Sequence, residues 1–151
     1  MNIATVLARK GITVVTIDPA RTIRQALVLL AQHNIGALVV VDGTGAPVGI
    51  VSERDVVRAL ARSETILGEV VASIMTRNVV VGTPQDDLVA VSNTMTEHHI
   101  RHLPVFEGSR LVGMISIGDV VKAQRDQYQG EVDTLQFQIL NEEDVKSPRA
   151  S

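Results

Sequence analysis

Cysteine and tryptophan are absent from the 151 residues, and one Tyr and two Phe bring aromatics to only 2%. Without Cys there is no disulfide framework, no thiolate metal site and no Cys nucleophile, and the composition fits a reducing compartment. So few aromatic rings exclude a base-stacking platform for single-stranded nucleic acid. The formal net charge is −3, and there is no basic stripe to track a phosphate backbone. Long apolar runs are lacking too. Ala26 to Ala31 is among the longest, far short of a bilayer crossing, and Met1 to Gly11 holds no apolar signal-peptide core. Together these absences lead to the expectation of a cytoplasmic protein that binds neither nucleic acid nor membrane.

What the chain does have is aliphatic bulk and an internal repeat. Hydrophobic residues make up 45% of it, so Val, Ile, Leu and Ala must fill the core. Asp18-Pro19 returns as Thr83-Pro84 and His33-Asn34-Ile35 as His98-His99-Ile100, each 65 residues on; Gly49, Ser52 and Asp55 return as Gly113, Ser116 and Asp119, 64 residues on. The second copy has therefore lost a residue in its hairpin, and the repeat covers most of the chain.

The repeat centres on Gly49-Ile50-Val51-Ser52-Glu53-Arg54-Asp55 and its echo Gly113-Met114-Ile115-Ser116-Ile117-Gly118-Asp119. A β-branched run, a Ser, an Asp three residues later and an apolar helical segment predict strand, tight turn and helix N-terminus. Free amides and the positive dipole end at such a turn favour an anion, while Ser and Asp bond hydroxyls. The same spacing is also how a helix start caps itself. Asp is shorter than the Glu or Gln preferred for the reciprocal bond, and its appearance in both copies argues for a role beyond capping.

Each copy predicts a short opening helix (Ala4 to Arg9; Val70 to Met75), a strand (Thr13 to Ile17; Val79 to Val81), an X-Pro break, a helix, a hairpin and a last helix. Thr22 with Gln25 forms a capping box, and Asp87 caps the equivalent helix. Ile23, Ala26, Leu27 and Leu30, like Leu88, Val91 and Met95, keep the spacing of a buried helical face. Ala37 to Val41 is apolar without alternation, as in a strand covered on both sides. The expected fold is thus α/β (α+β), two β-α-β-β-α units packed on each other, with residues 1–62 as the first, 63–68 a linker and 69–125 the second. Residues 126–151 read as an extension of the last helix, with Tyr128, Val132, Leu135 and Ile139 on an amphipathic face, followed by a disordered tail from Ser147.

Several other signals carry no chemistry. His98, His99 and His102 straddle a helix end and a strand start without Cys or a carboxylate pattern, so no metal is expected. His33 reads as a helix C-terminal residue bonding the last carbonyls. Gly43-Thr44-Gly45 is followed by Pro47 and a strand, where a dinucleotide fingerprint needs a helix. No Ser-His-Asp order or Walker string appears, and no catalytic residue is expected.

The paired GIVSERD and GMISIGD strings, the twin β-α-β-β-α units and His99-Ile100-Arg101-His102-Leu103-Pro104-Val105 resemble a tandem cystathionine β-synthase (CBS) domain pair, the Bateman module, over about residues 1–125. That resemblance implies a pseudo-two-fold pair with two clefts, dimerisation into a disc, and an adenosine-containing ligand (AMP, ADP, ATP, NAD or S-adenosylmethionine) rather than a catalytic cofactor. It implies ribose binding by Asp55 and Asp119, with Ser52 and Ser116 on the same turns. It sets adenine between Thr16 and Asp18, or Thr83, and the next strand start at Ile35-Gly36-Ala37, or Ile100-Arg101-His102 with Pro104. Arg54 in the first copy is replaced by Gly118 in the second, while Gly36 becomes Arg101 and Ala37 becomes His102. The clefts are therefore expected to differ, with Asp119, Arg101 and His102 forming the phosphate-binding one. The expected function is a non-catalytic adenine-nucleotide sensor, a homodimer regulating an unidentified protein. The competing expectation is a structural oligomerisation module with vestigial clefts.

Overall fold

The computed structural model describes residues 1–11 and 14–146, with the side chains of 144–146 excepted. Thr13, the expected start of the first strand, and the tail from Ser147 lie outside the described residues.

The first copy holds α1 (Ile3–Lys10), β1 (Thr16–Ile17), α2 (Ile23–His33), β2 (Ala37–Val41), β3 (Pro47–Ser52) and α3 (Glu53–Arg62). Two 3-10 turns, Glu64–Gly68 and Val71–Ser73, lead into α4 (Leu88–Glu97), β4 (His102–Glu107), β5 (Arg110–Ser116) and α5 (Ile117–Lys146). β1 runs parallel to β2, and β2 antiparallel to β3; β4 and β5 form a second antiparallel ladder. Capping follows the sequence signals: Thr22 and Gln25 close a reciprocal box on α2, and Asp87 accepts from the Val89 amide.

The two copies are less equal than their sequences. The expected strand Val79 to Val81 is not formed; a single parallel bridge joins Gly82 to Val105 instead. The expected helix Val70 to Met75 shrinks to the 3-10 turn Val71–Ser73. β1 is itself only two residues long and is followed by Pro19 at the same distance as Gly82 is by Pro84, so the copies differ by one step of a short pairing.

The opening segments exchange partners. Ile3, Val6 and Leu7 of α1 are buried with Leu88, Val91, Met95, Leu103 and Ile115 of the second copy. Val71, with Ile66 and Met75 beside it, packs with Ile17, Ile23, Leu30, Leu38 and Val51 of the first. Backbone bonds repeat the exchange: the Ile3 amide donates to Asp86 O at 3.0 Å and the Ile23 amide to Glu69 O at 2.9 Å. Each copy thus completes the core of the other. Among the described residues no helix is long and apolar enough to cross a membrane.

Candidate functional site

β3 delivers Ser52 to the start of α3, where Ser52 Oγ accepts the Asp55 amide at 3.3 Å and Asp55 Oδ2 accepts the Ser52 amide at 2.8 Å. The same pair forms after β5, with the Ser116 amide 2.8 Å from Asp119 Oδ2 and the Asp119 amide 3.1 Å from Ser116 Oγ. The inference that Asp is too short for a reciprocal box is therefore corrected. With Ser at the cap, the carboxylate reaches back, and both Asp residues tie down their own helices.

Asp55 does more than cap. It lines a cavity of about 230 Å³ between the copies. The first copy contributes Gly36, Ile50, Ser52, Glu53, Arg54 and Arg58; the second contributes Thr76, Asn78, Val79, Val80 and His99 to His102. Three guanidiniums and two carboxylates thus share one cleft with the first turn of α3. Two of its lining residues are joined by backbone pairing: Thr76 bridges Ile50 across the copies with bonds of 2.8 and 2.9 Å.

Asp119 has a different environment. Its Oδ2 also accepts from Lys10 Nζ at 2.6 Å, and the same ammonium donates to Met114 O at 2.8 Å. The adjoining cavity, about 200 Å³, is lined by α1 and α5 residues including Arg9, Lys10 and Lys122. Burial pushes the Asp119 carboxyl up, but the Lys10 hydrogen bond and charge and the Ser116 bonds outweigh it, and the group lies below its ordinary value. His102 is held below the usual imidazole range, first by burial and then by the Lys10 charge, against the pull of Asp119 and Glu53.

Of the expected group, Asp119 lines the cavity beside Lys10 rather than the one that holds Arg101 and His102, although its charge still reaches His102. Arg101 and His102 line the cleft of Asp55, because the carboxylate of one copy faces the strand start of the other. Thr16 and Asp18 lie elsewhere too, in a cavity of about 590 Å³ walled by the first copy alone, beside Arg21, Arg24 and Val28. Thr83 bonds Asp86 through its amide and hydroxyl at 2.9 Å each. The apolar wall is instead Val79 and Val80, upstream of that position. Ile35 packs against the first core, and buried Ala37 pairs with Ser52 in the sheet. Pro104 pairs with Met114 and gives its carbonyl to the Gly82 amide at 2.9 Å, a sheet role. Gly118 is exposed on the first turn of α5.

Arg58, Glu53 and His99 were not expected. Arg58 stands one turn after Arg54, a spacing visible in the sequence. His99 adopts a left-handed φ of 53°, as its counterpart Asn34 does at 50°, so a helix-ending residue is turned to the cleft. His98 rather than His33 bonds a helix carbonyl, Thr94 O at 3.0 Å.

Comparison with known proteins agrees with this architecture. The CBS domain family matches residues 8–62 and again 71–126. The crystal structure of the CBS-domain containing protein ATU1752 from Agrobacterium tumefaciens is 43% identical, with a TM-score of 0.78 over 82% of this chain and 92% of that one. The CBS domain protein PAE2072 from Pyrobaculum aerophilum, complexed with AMP, is 28% identical, with a TM-score of 0.71 over 79% and 89%. The CBS domain pair of MJ0100, in complex with 5′-methylthioadenosine and S-adenosyl-L-methionine, is 25% identical, with a TM-score of 0.72 over 84% and 98%. Against curated relatives at 35%, 35% and 38% identity the match spans 60%, 79% and 39% of their lengths. Two of these three relatives thus extend well beyond the part that this chain matches.

Proposed function

The chain belongs to the CBS-domain family, and on that premise we propose that it is a non-catalytic sensor of an adenine nucleotide, bound in the cleft of Asp55. The observation that carries this reading is one cavity holding a carboxylate at a helix start, an apolar wall and three guanidiniums. The Ser52 amide and hydroxyl both donate to Asp55 Oδ2, which leaves Oδ1 for a ribose hydroxyl. Ile50, Val79, Val80 and Ile100 offer adenine an apolar slot that needs no aromatic ring. Arg54, Arg58 and Arg101 supply bidentate donors for phosphate. The AMP complex of PAE2072 and the adenosyl ligands of MJ0100 support the ligand class.

Asp119, by contrast, already holds a cation, and on this reading its side of the pair does not take a nucleotide of its own. Because the cleft is walled by both copies, a ligand there favours one relative arrangement of them, which is how occupancy would reach a regulated partner. Calorimetric titration of AMP into the full chain tests this. One site per chain is expected, weakened roughly 10- to 100-fold by Asp55→Ala through loss of a charge-assisted bond and left nearly unchanged by Asp119→Ala. Absence of heat with AMP, ADP, ATP, NAD and S-adenosylmethionine alike would overturn the sensor and leave the oligomerisation module.

A further inference from the structure

α5 runs 30 residues from Ile117 to Lys146, about 45 Å at the usual rise. Val120 and Ala123 anchor it in the second core, but from residue 125 to residue 143 every position is exposed. Helices in proteins owe most of their stability to packing of an apolar face, and this stretch also contains Gly130, whose neighbourhood is open space. It nevertheless carries a stripe of large apolar side chains: Tyr128 is 69% exposed, Val132 44%, Leu135 58% and Ile139 54%. Their spacing of four, three and four is that of a two-helix seam.

The seam ends in opposite charges. Continuing the same spacing by one step each way reaches Arg125, three residues before Tyr128, and Glu142, three after Ile139. In a parallel pair of two such helices Arg125 would meet Arg125, and Glu142 would meet Glu142. In an antiparallel pair with its two-fold axis between residues 133 and 134, Val132 meets Leu135, Tyr128 meets Ile139 and Arg125 meets Glu142, each contact made twice. We propose that the occupant of this face is α5 of a second copy, laid antiparallel in that register, so that the chain dimerises through its C-terminal helix. A self-complementary patch is what a two-fold interface requires, and the like charges of the parallel arrangement select against it. This inference is independent of the nucleotide reading, since it uses no residue of the cleft.

Sedimentation equilibrium of the full chain should give a dimer that Leu135→Glu converts to monomer. Phe137→Ser, at an equally exposed position on the opposite side of the helix, should leave the dimer intact. Arg125→Glu should weaken association about tenfold, and adding Glu142→Arg should restore it. Because the chain has no Cys, orientation can be read by oxidation. Tyr128→Cys combined with Ile139→Cys should give a covalent dimer. Tyr128→Cys alone should not, since in the antiparallel pair those positions lie about 16 Å apart along the axis, beyond disulfide reach. A monomeric wild type, a dimer indifferent to Leu135→Glu, or cross-linking by Tyr128→Cys alone would each overturn the proposal.

Discussion

His102 is the side chain through which the two halves feel one another's charge. It begins β4 in the second copy, yet its Nε2 lies 3.1 Å from where a Cβ at Gly36 would stand in the first. That close approach leaves little room for a side chain at Gly36, just before β2. Lys10, Asp119, Glu53 and Arg101 all act on its ring, and burial with the Lys10 charge keeps it less basic than the ordinary 6.5. An unfolded chain takes up that proton as pH falls through the ordinary value, while the folded chain resists. Stability is therefore fully present above that value and declines as pH drops below it. Urea unfolding at descending pH should show this loss, and His102→Gln should flatten it. Asp119 does not mask the effect. Its lowered carboxyl contributes stability that is present above the ordinary 3.8 and is lost only as pH falls through the folded value.

At the scale of elements, Gly49 and Gly113 occupy equivalent places on β3 and β5 but not equivalent surroundings. A Cβ at Gly49 would meet Met75 Sδ at 2.7 Å and the Thr76 carbonyl at 2.9 Å, which is backbone fixed by its bridge to Ile50. A Cβ at Gly113 would meet the Leu7 side chain, with its methyls at 2.6 and 2.9 Å and Cγ at 3.3 Å. Leu7, though buried, can still shift its side chain, whereas a paired carbonyl moves only with its bridge. Gly49→Ala is therefore expected to cost about 1–3 kcal/mol as overpacking and Gly113→Ala clearly less, measured by urea denaturation of the two variants. Equal losses would mean that the bridge to Ile50 yields as easily as a side chain.

For the molecule as a whole, the exchanged opening segments decide how it melts. α1 is buried in the second core and Val71 in the first, so neither copy keeps a complete core when the other opens. Unfolding is expected to be a single transition, and AMP in the cleft between the copies should shift all of it. At about 100 times its dissociation constant the ligand adds about 2.7 kcal/mol, which circular dichroism during heating would register as one later transition. A transition split in two by AMP, one part moved and one not, would contradict the coupling.

The sequence alone determined the repeat, the helix caps and the buried helical faces, because these depend on local spacing: Thr22 with Gln25, Ser52 with Asp55, and Leu88 with Val91 and Met95 act within a turn or two of chain. It also marked Asp55, Arg54, Arg101 and His102 as residues for a ligand. Which of them share a cleft was decided only by tertiary structure. Asp55 meets the strand start of the opposite copy, Lys10 of α1 satisfies Asp119, and Thr16 and Asp18 turn to another face, because the copies pack across a pseudo-two-fold and exchange their openings. Contacts between segments so far apart in the chain, 109 residues for Lys10 and Asp119, leave no periodicity to read, and only burial of the two cores against each other fixes them.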